Sequence, residues 1–293
     1  MTFDFNTFKT RALTAIVFVA LMLAGLLYNY WSFFILFSVI HFGCWIEYQK
    51  LVALIDPEYK TVSSFHRNIV MLLGFSFMLY MTNGAYKISR VPLSAIGWYG
   101  LMLGTIIFCL NEVILKRNLN LKMIGYSVFG LVYISLSWGL MVGLRNVESF
   151  VINEDGDYFK GDRGWLIPVI IIASIWINDT MQYLVGSFIG KTTFSKISPK
   201  KTWEGTIGGS FLCIILVTFF GQPFLYKYYL LGIATIAAIL GTLGDLLESK
   251  LKRMAGVKDS GKMMPGHGGF LDRFDSLLLA SPFVWLFVKL VME

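Results

Sequence analysis

Apolar runs long enough to cross a bilayer recur along this chain, and no other feature restricts its fold as tightly. A helix needs roughly 20 apolar residues to traverse a hydrocarbon core of ~30 Å. Nine such runs lie near 12–28, 31–49, 68–84, 92–115, 121–144, 165–186, 205–222, 228–247 and 276–292. The first two abut at Tyr28, Asn29 and Tyr30. Lys9 and Arg11 precede the first run as they would in a signal peptide. No small-residue cleavage site follows, however, and the next run starts at once, which predicts an uncleaved anchor. Charged residues make up only 15% of the chain and the mean hydropathy is +0.66. The expected class is an all-α polytopic membrane protein with about nine transmembrane helices.

Basic residues set the direction, because cytoplasmic loops accumulate lysine and arginine. With the N-terminus in the cytoplasm, eighteen of the 25 lysines and arginines fall in inside loops, six fall outside, and Lys289 lies within the last span. Both of the richest loops, 187–204 and 248–275, then face the cytoplasm. This divides the chain into N-terminal transmembrane helices (1–145), an extracytoplasmic loop (146–164) and a C-terminal transmembrane region (165–293). The outer loop carries Glu148, Glu154, Asp155, Asp157 and Asp162 and reads as a solvated connector. The net charge of +7 comes from the inside loops. It suits anionic headgroups or an anionic substrate rather than nucleic acid. Cys44, Cys109 and Cys213 sit in apolar runs without metal-ligand spacing and are expected to be buried thiols. His41 reads as a hydrogen-bonded histidine of the bundle, and His66 as a membrane-edge residue beside Arg67.

Three polar clusters interrupt the C-terminal half. The first, Asn178-Asp179-Thr180-Met181-Gln182-Tyr183 followed by Gly186, Gly190 and Lys191, ends a long apolar run. Helical spacing puts Asp179, Gln182, Tyr183 and Gly186 on one face. A carboxylate at that depth is costly and is usually functional, although a polar seam between helices would use the same residues. The second cluster, Ser198-Pro199-Lys200-Lys201-Thr202-Trp203-Glu204-Gly205, joins two ammonium groups to the free amides of a helix start and so favours anions. Lys200 and Lys201 would equally serve as a positive-inside anchor.

The third cluster is the densest. Eleven charged side chains lie between Asp245 and Asp275. Asp245, Glu248, Ser249 and Lys252 share one helical face that leads out of the membrane. Lys258, Asp259, Gly261 and Pro265-Gly266-His267-Gly268-Gly269 form the loop. Asp272, Arg273, Asp275 and Ser276 open the last span. Two acidic helix faces separated by a loop rich in glycine and lysine suit divalent ions held between carboxylates and phosphate oxygens. Glycines let backbone amides approach those oxygens, and Arg273 with the lysines neutralises phosphate charge. An electrostatically balanced loop is the rival explanation. It leaves the membrane-embedded origin of Asp245 without a purpose. Zinc is disfavoured, because His267 has no histidine or cysteine near it.

Over the last 120 or so residues these motifs resemble the phosphatidate cytidylyltransferases, or CDP-diacylglycerol synthases. The matching positions in the third cluster are Ser249, Lys252-Arg253, Lys258-Asp259, His267-Gly268-Gly269, Asp272-Arg273 and Asp275. Upstream, Asn178-Asp179-Thr180, Tyr183, Gly186 and Ser198 to Gly205 also match. Met264 replaces a Leu, Ile or Phe, which conserves volume, and Gln182 stands where alanine is usual. The resemblance implies synthesis of CDP-diacylglycerol from CTP and phosphatidic acid with release of pyrophosphate. It also implies a homodimer in a bacterial inner membrane, with a cytoplasmic active site that opens laterally to lipid. Magnesium, as one ion or a pair, is implied between Asp245 and Asp272.

The expected roles follow from the charges. Lys252, Arg253, Lys258 and Arg273 screen phosphate repulsion, while Asp275, Glu248 and Asp259 orient those cations or ligate directly. His267 either binds phosphate or orders the glycine loop with Gly268 and Gly269. Ser198, Lys200, Lys201 and Thr202, with Asn178 and Asp179, meet substrate. Two rival classes remain. A CTP-using polyprenol kinase would move the γ-phosphoryl group and need a base. A transporter would show interrupted helices in both halves, whereas these charges collect in one half and at one face.

Overall fold

The computed structural model describes residues 5–115, 120–147, 162–263 and 268–292. Ten α-helices occupy them: α1 (Phe5–Leu27), α2 (Tyr30–Ile55), α3 (Ser64–Tyr80), α4 (Leu93–Cys109), α5 (Leu121–Gly130), α6 (Ser137–Arg145), α7 (Leu166–Ile189), α8 (Trp203–Gly221), α9 (Lys227–Met254) and α10 (Leu271–Phe287). π-Helical turns prolong α4 to Leu115, join α5 to α6 across Leu131–Leu136 and carry α10 on to Met292. The strands among the described residues, β1 (Lys87–Ile88) and β2 (Val91–Pro92), form one short antiparallel ribbon.

Among the described residues, seven helices are long and apolar enough to span a membrane: Tyr30–Ile55, Leu93–Glu112, Leu121–Arg145, Leu166–Ile189, Trp203–Gly221, Lys227–Met254 and Leu271–Met292. α1 and α3 stand where the other two expected spans lie. The apolar part of α1 is Leu13–Leu27, and α3 has 17 residues. The chain is thus an all-α polytopic membrane protein. The abutting first runs are separate helices, because Asn29 accepts from Ser32 N–H and the Ser32 hydroxyl accepts from Asn29 N–H, closing a capping box that starts α2. Only 17% of Leu93–Glu112 and 22% of Trp203–Gly221 is buried. Their outward faces are apolar all the same, which suits lipid as the neighbour.

The helices form two compact units, 1–142 with 251–274, and 143–250 with 275–293. In the first unit α2 supplies the core with Phe33, Phe37, Trp45 and Tyr48. Trp138 packs 5.3 Å from Phe37 and 5.6 Å from Phe274. Each such aromatic pair contributes about 0.5–1.5 kcal/mol beyond its area. Small residues set the helix spacing. A Cβ at Gly97 of α4 would lie 2.2 Å from the Tyr80 nitrogen of α3. In the second unit a Cβ at Gly209 of α8 would meet the Gln182 nitrogen of α7 at 2.4 Å.

His66, in the first turn of α3, is fully buried: Nδ1 lies 2.8 Å from Glu112 and Nε2 lies 2.7 Å from Ser127. The π-helical turn that contains Glu112 turns this carboxylate toward α3. His41 bonds Ser135 at 3.1 Å, as a bundle histidine should. Cys44 and Cys213 are buried, whereas Cys109 is exposed on a span where lipid would face it.

Candidate active site

The second unit gathers acidic groups because α9 and α10 come unusually close. A Cβ at Gly244 would sit 2.5 Å from the Asp275 carbonyl oxygen, and one at Gly241 would rest 3.5 Å from Ser276 Cβ. With the two backbones nearly in contact, Asp245, Glu248 and Asp275 each place a carboxylate oxygen within 4.8 Å of the others. Glu248 is fully buried and the two aspartates are half-buried. Carboxylates at that separation repel unless positive charge is near. Lys201 supplies some of it, with Nζ 2.5 Å from Asp245 Oδ2. Converging carboxylate oxygens are the donor set that a hard divalent cation takes, so these three residues fit such an ion.

Two further elements reach the same cluster. Asp179, on the exposed side of α7, lies within electrostatic range of Lys201 and Asp245. Lys201 is held by a short self-closing loop. Phe194 N–H donates to Lys201 O at 2.8 Å, Trp203 N–H donates to Thr192 O at 2.9 Å, and Lys201 N–H donates to Ser198 O at 3.1 Å. Glu204 accepts the Lys191 and Thr192 amides, and Thr202 Oγ1 caps α8 by accepting from Gly205 N–H at 3.1 Å. Asn178 has a different setting. It is fully buried, donating to Thr242 Oγ1 at 3.3 Å and accepting from Ser210 at 3.1 Å. Gln182 donates to the same Thr242 oxygen at 2.7 Å. Asn178 and Gln182 therefore lie in a polar seam joining α7, α8 and α9.

The first unit holds Asp272. α9 ends in a left-handed turn at Gly256 (φ +69), where the Gly256 and Val257 amides bond Arg253 and Lys252 carbonyls. The chain then returns to α10, where Asp272 occupies the first turn, a favourable place for a carboxylate. Asp272 Oδ1 accepts from Lys252 Nζ at 2.6 Å. Its Oδ2 accepts from Ser260 N–H at 2.8 Å and Gly269 N–H at 2.7 Å, and the Ser260 hydroxyl lies 2.9 Å away. Gly268 is left-handed (φ +81), and any side chain there would meet Asp272 Oδ2 at 2.6 Å. The loop is thus wound around one carboxylate.

The remaining candidates are mostly solvent-facing. Lys200, Arg253, Lys258, Asp259 and Arg273 are exposed, and one Arg253 nitrogen points at the Val257 carbonyl, 3.4 Å away. His267 lies outside the described residues. One partner was not anticipated from sequence: Glu47 of α2 is buried and accepts from Leu271 N–H at 2.9 Å and from the Ser260 hydroxyl at 2.8 Å. The available signal was a single acid inside an otherwise apolar run.

Comparison with known proteins agrees with this chemistry. The profile of the cytidylyltransferase family matches residues 9–291. A phosphatidate cytidylyltransferase of Bacillus subtilis (strain 168) is 30% identical over 285 residues, 96% of each chain. One from Synechocystis sp. is 29% identical over 304 residues, 96% of this chain and 97% of its own. One from Staphylococcus aureus (strain COL) is 46% identical over 112 residues, 37% of this chain and 43% of its own.

Proposed function

The chain belongs to the cytidylyltransferase family, and from that membership we propose that it makes CDP-diacylglycerol and pyrophosphate from CTP and phosphatidate. The observation that carries the reading is the acidic cluster of Asp245, Glu248 and Asp275 with Lys201 against it, in a chain matched to that family almost end to end. Phosphatidate and CTP both carry anionic phosphate groups. The chemical difficulty is therefore to bring like charges together, rather than to activate a weak nucleophile.

A phosphate oxygen of phosphatidate forms the new bond to the α-phosphorus of CTP. The bond from that phosphorus to the bridging oxygen breaks, and its electron pair leaves with pyrophosphate. The nucleophile is already an anion and needs no base. Asp245, Glu248 and Asp275 would hold Mg2+, and Asp272, in the first unit, would be a metal ligand on the family resemblance alone. A bound cation of this kind neutralises triphosphate oxygens and the charge that builds on the leaving group. Asp272 holds the Lys252 ammonium by its Oδ1 at 2.6 Å, and that ammonium would also be available to phosphate. Lys258, Arg253 and Arg273, all exposed along this loop, meet the departing pyrophosphate. Lys200, Lys201, Ser198 and Thr202 meet the phosphate of lipid or nucleotide while the acyl chains stay in the bilayer. Asp259 orients the neighbouring cations, and Gly268 and Gly269 let amides approach phosphate. We place the chain as a homodimer in a bacterial inner membrane, with nine spans, its N-terminus inside and this site facing the cytoplasm.

Purified protein in mixed micelles with Mg2+, phosphatidic acid and CTP labelled at the α or γ position tests the reading. The α-label should enter the lipid and the γ-label should leave as pyrophosphate. A γ-label in the lipid would make the protein a lipid kinase, and no label in the lipid from either position would refute the transfer.

A further inference from the structure

We infer that Glu47 is a positioning residue for cytidylyl transfer: from α2 it holds Ser260 and the first residue of α10, and through them Asp272. The inference rests on the proposed function for what Asp272 contributes, and on geometry for everything else. A carboxylate inside an apolar helix is costly unless its acceptors are used. Glu47 is 6% exposed, and one of its oxygens serves both Leu271 N–H at 2.9 Å and the Ser260 hydroxyl at 2.8 Å.

Each partner explains part of the cost. Leu271 is fully buried and opens α10, so its amide has no acceptor within the helix and no access to water. Glu47 provides the acceptor and places negative charge at the end of the helix that favours it. Ser260 lies 2.8 Å from Glu47 and 2.9 Å from Asp272, yet a hydroxyl has one hydrogen to give. The two carboxylates are therefore coupled through one side chain, and moving either shifts the hydrogen that serves the other.

The surrounding backbone is shaped for this contact. A Cβ at Gly261 would lie 2.1 Å from Glu47 Oε1, and one at Gly269 would lie 2.3 Å from both oxygens. One turn earlier on α2, Gly43 leaves room for the Phe270 ring, which a Cβ would meet at 2.4 Å. The Gly43–Glu47 face of α2 thus receives the 268–271 segment as a seat, across 224 residues of chain. Gly269 has two duties: its amide bonds Asp272, and its missing side chain admits Glu47.

Glu47→Ala and Glu47→Gln separate positioning from mere stability. For each purified variant, deuterium uptake across residues 258–271 and steady-state kinetics with CTP and phosphatidic acid are measured. Glu47→Ala should exchange faster than wild type in that segment. Its kcat should fall on the order of 100-fold, as for reacting groups displaced by about 1 Å. KM for both substrates should stay within about threefold, because binding contacts are untouched. Glutamine keeps the shape and an oxygen for Leu271, and should restore both exchange and kcat. Unchanged exchange in Glu47→Ala, an unchanged kcat, or a glutamine variant as impaired as alanine would overturn the inference. If wild type makes no CDP-lipid, the proposed function fails by itself, and the exchange result alone then decides whether Glu47 braces this segment.

Discussion

Replacing Gly244 with alanine should separate the two acid-bearing helices by a distance the structure supplies. The added Cβ would stand 2.5 Å from the Asp275 carbonyl oxygen and 3.1 Å from Ser276 Cα, both backbone atoms of α10. Ordinary contact begins near 3.4 Å, so α10 must yield by about 0.9 Å. A side chain cannot rotate to relieve a clash with backbone. Overpacking of this size costs about 1–3 kcal/mol, set against a gain of about 0.5–1 kcal/mol from losing a helical glycine. The larger effect falls on Asp275, whose carboxylate moves away from Asp245 and Glu248. Displacements near 1 Å cost on the order of 100-fold in rate. Gly241→Ala is the control, since its Cβ would meet Ile175 at 3.4 Å and Ser276 at 3.5 Å, both ordinary contacts. Initial rates of CDP-diacylglycerol formation and thermal unfolding of both variants decide the matter. Gly241→Ala should retain its rate and melt no lower than wild type, while Gly244→Ala loses most of its rate. Equal rates in the two variants would refute the argument from helix approach.

Further outcomes follow from single contacts. Asp272→Asn presents an amide where Oδ2 now takes two backbone N–H groups, and it removes the counter-charge of Lys252. Turnover should drop roughly 100-fold or more, while the protein still inserts and purifies; near-normal Mg2+-dependent activity would exclude Asp272 from the site. Thr202→Val loses the cap on Gly205 N–H, worth about 1 kcal/mol. It should melt lower and show a raised KM, whereas Thr202→Ser keeps both; an unchanged KM in the valine variant would leave Thr202 as a cap alone. Asp56, capping the turn at Glu58, is held below the ordinary carboxylate range chiefly by its hydrogen bond from Lys122. Its contribution is therefore complete above the unfolded value of about 3.9 and fades as pH falls through the lower folded value. The melting difference between wild type and Asp56→Asn should be full at neutral pH and vanish in acid. A difference independent of pH would remove Lys122 as the cause.

The helices were legible because lipid demands long apolar runs, and seven of the nine expected runs fall on helices long and apolar enough to cross it. The tight junction at Tyr28–Tyr30 resolves into two helices through Asn29, a residue type that starts helices. The π-helical turns were not legible, and neither was the meeting of Glu112, which lies in one of them, with His66; apolar periodicity carries no trace of either. Asp245 and Glu248 could be paired from their spacing of three on one helix. Asp275 joins them only because Gly241 and Gly244 admit α10, and no local pattern reports a helix crossing. Gln182, which stands where alanine is usual in the family, donates to Thr242 within a polar seam. Glu47 carries no motif, being one acid in an apolar run, and its partners Ser260 and Leu271 lie more than 200 residues on.

Cation binding at the α9–α10 carboxylates is best measured with Mn2+ by electron paramagnetic resonance, on wild type and on Asp245→Asn with Asp275→Asn. Wild type should show saturable binding that CTP strengthens, and the double variant should lose both that binding and CDP-diacylglycerol synthesis. Undiminished Mn2+ binding and synthesis in the double variant would contradict the assignment of this cluster to the reaction.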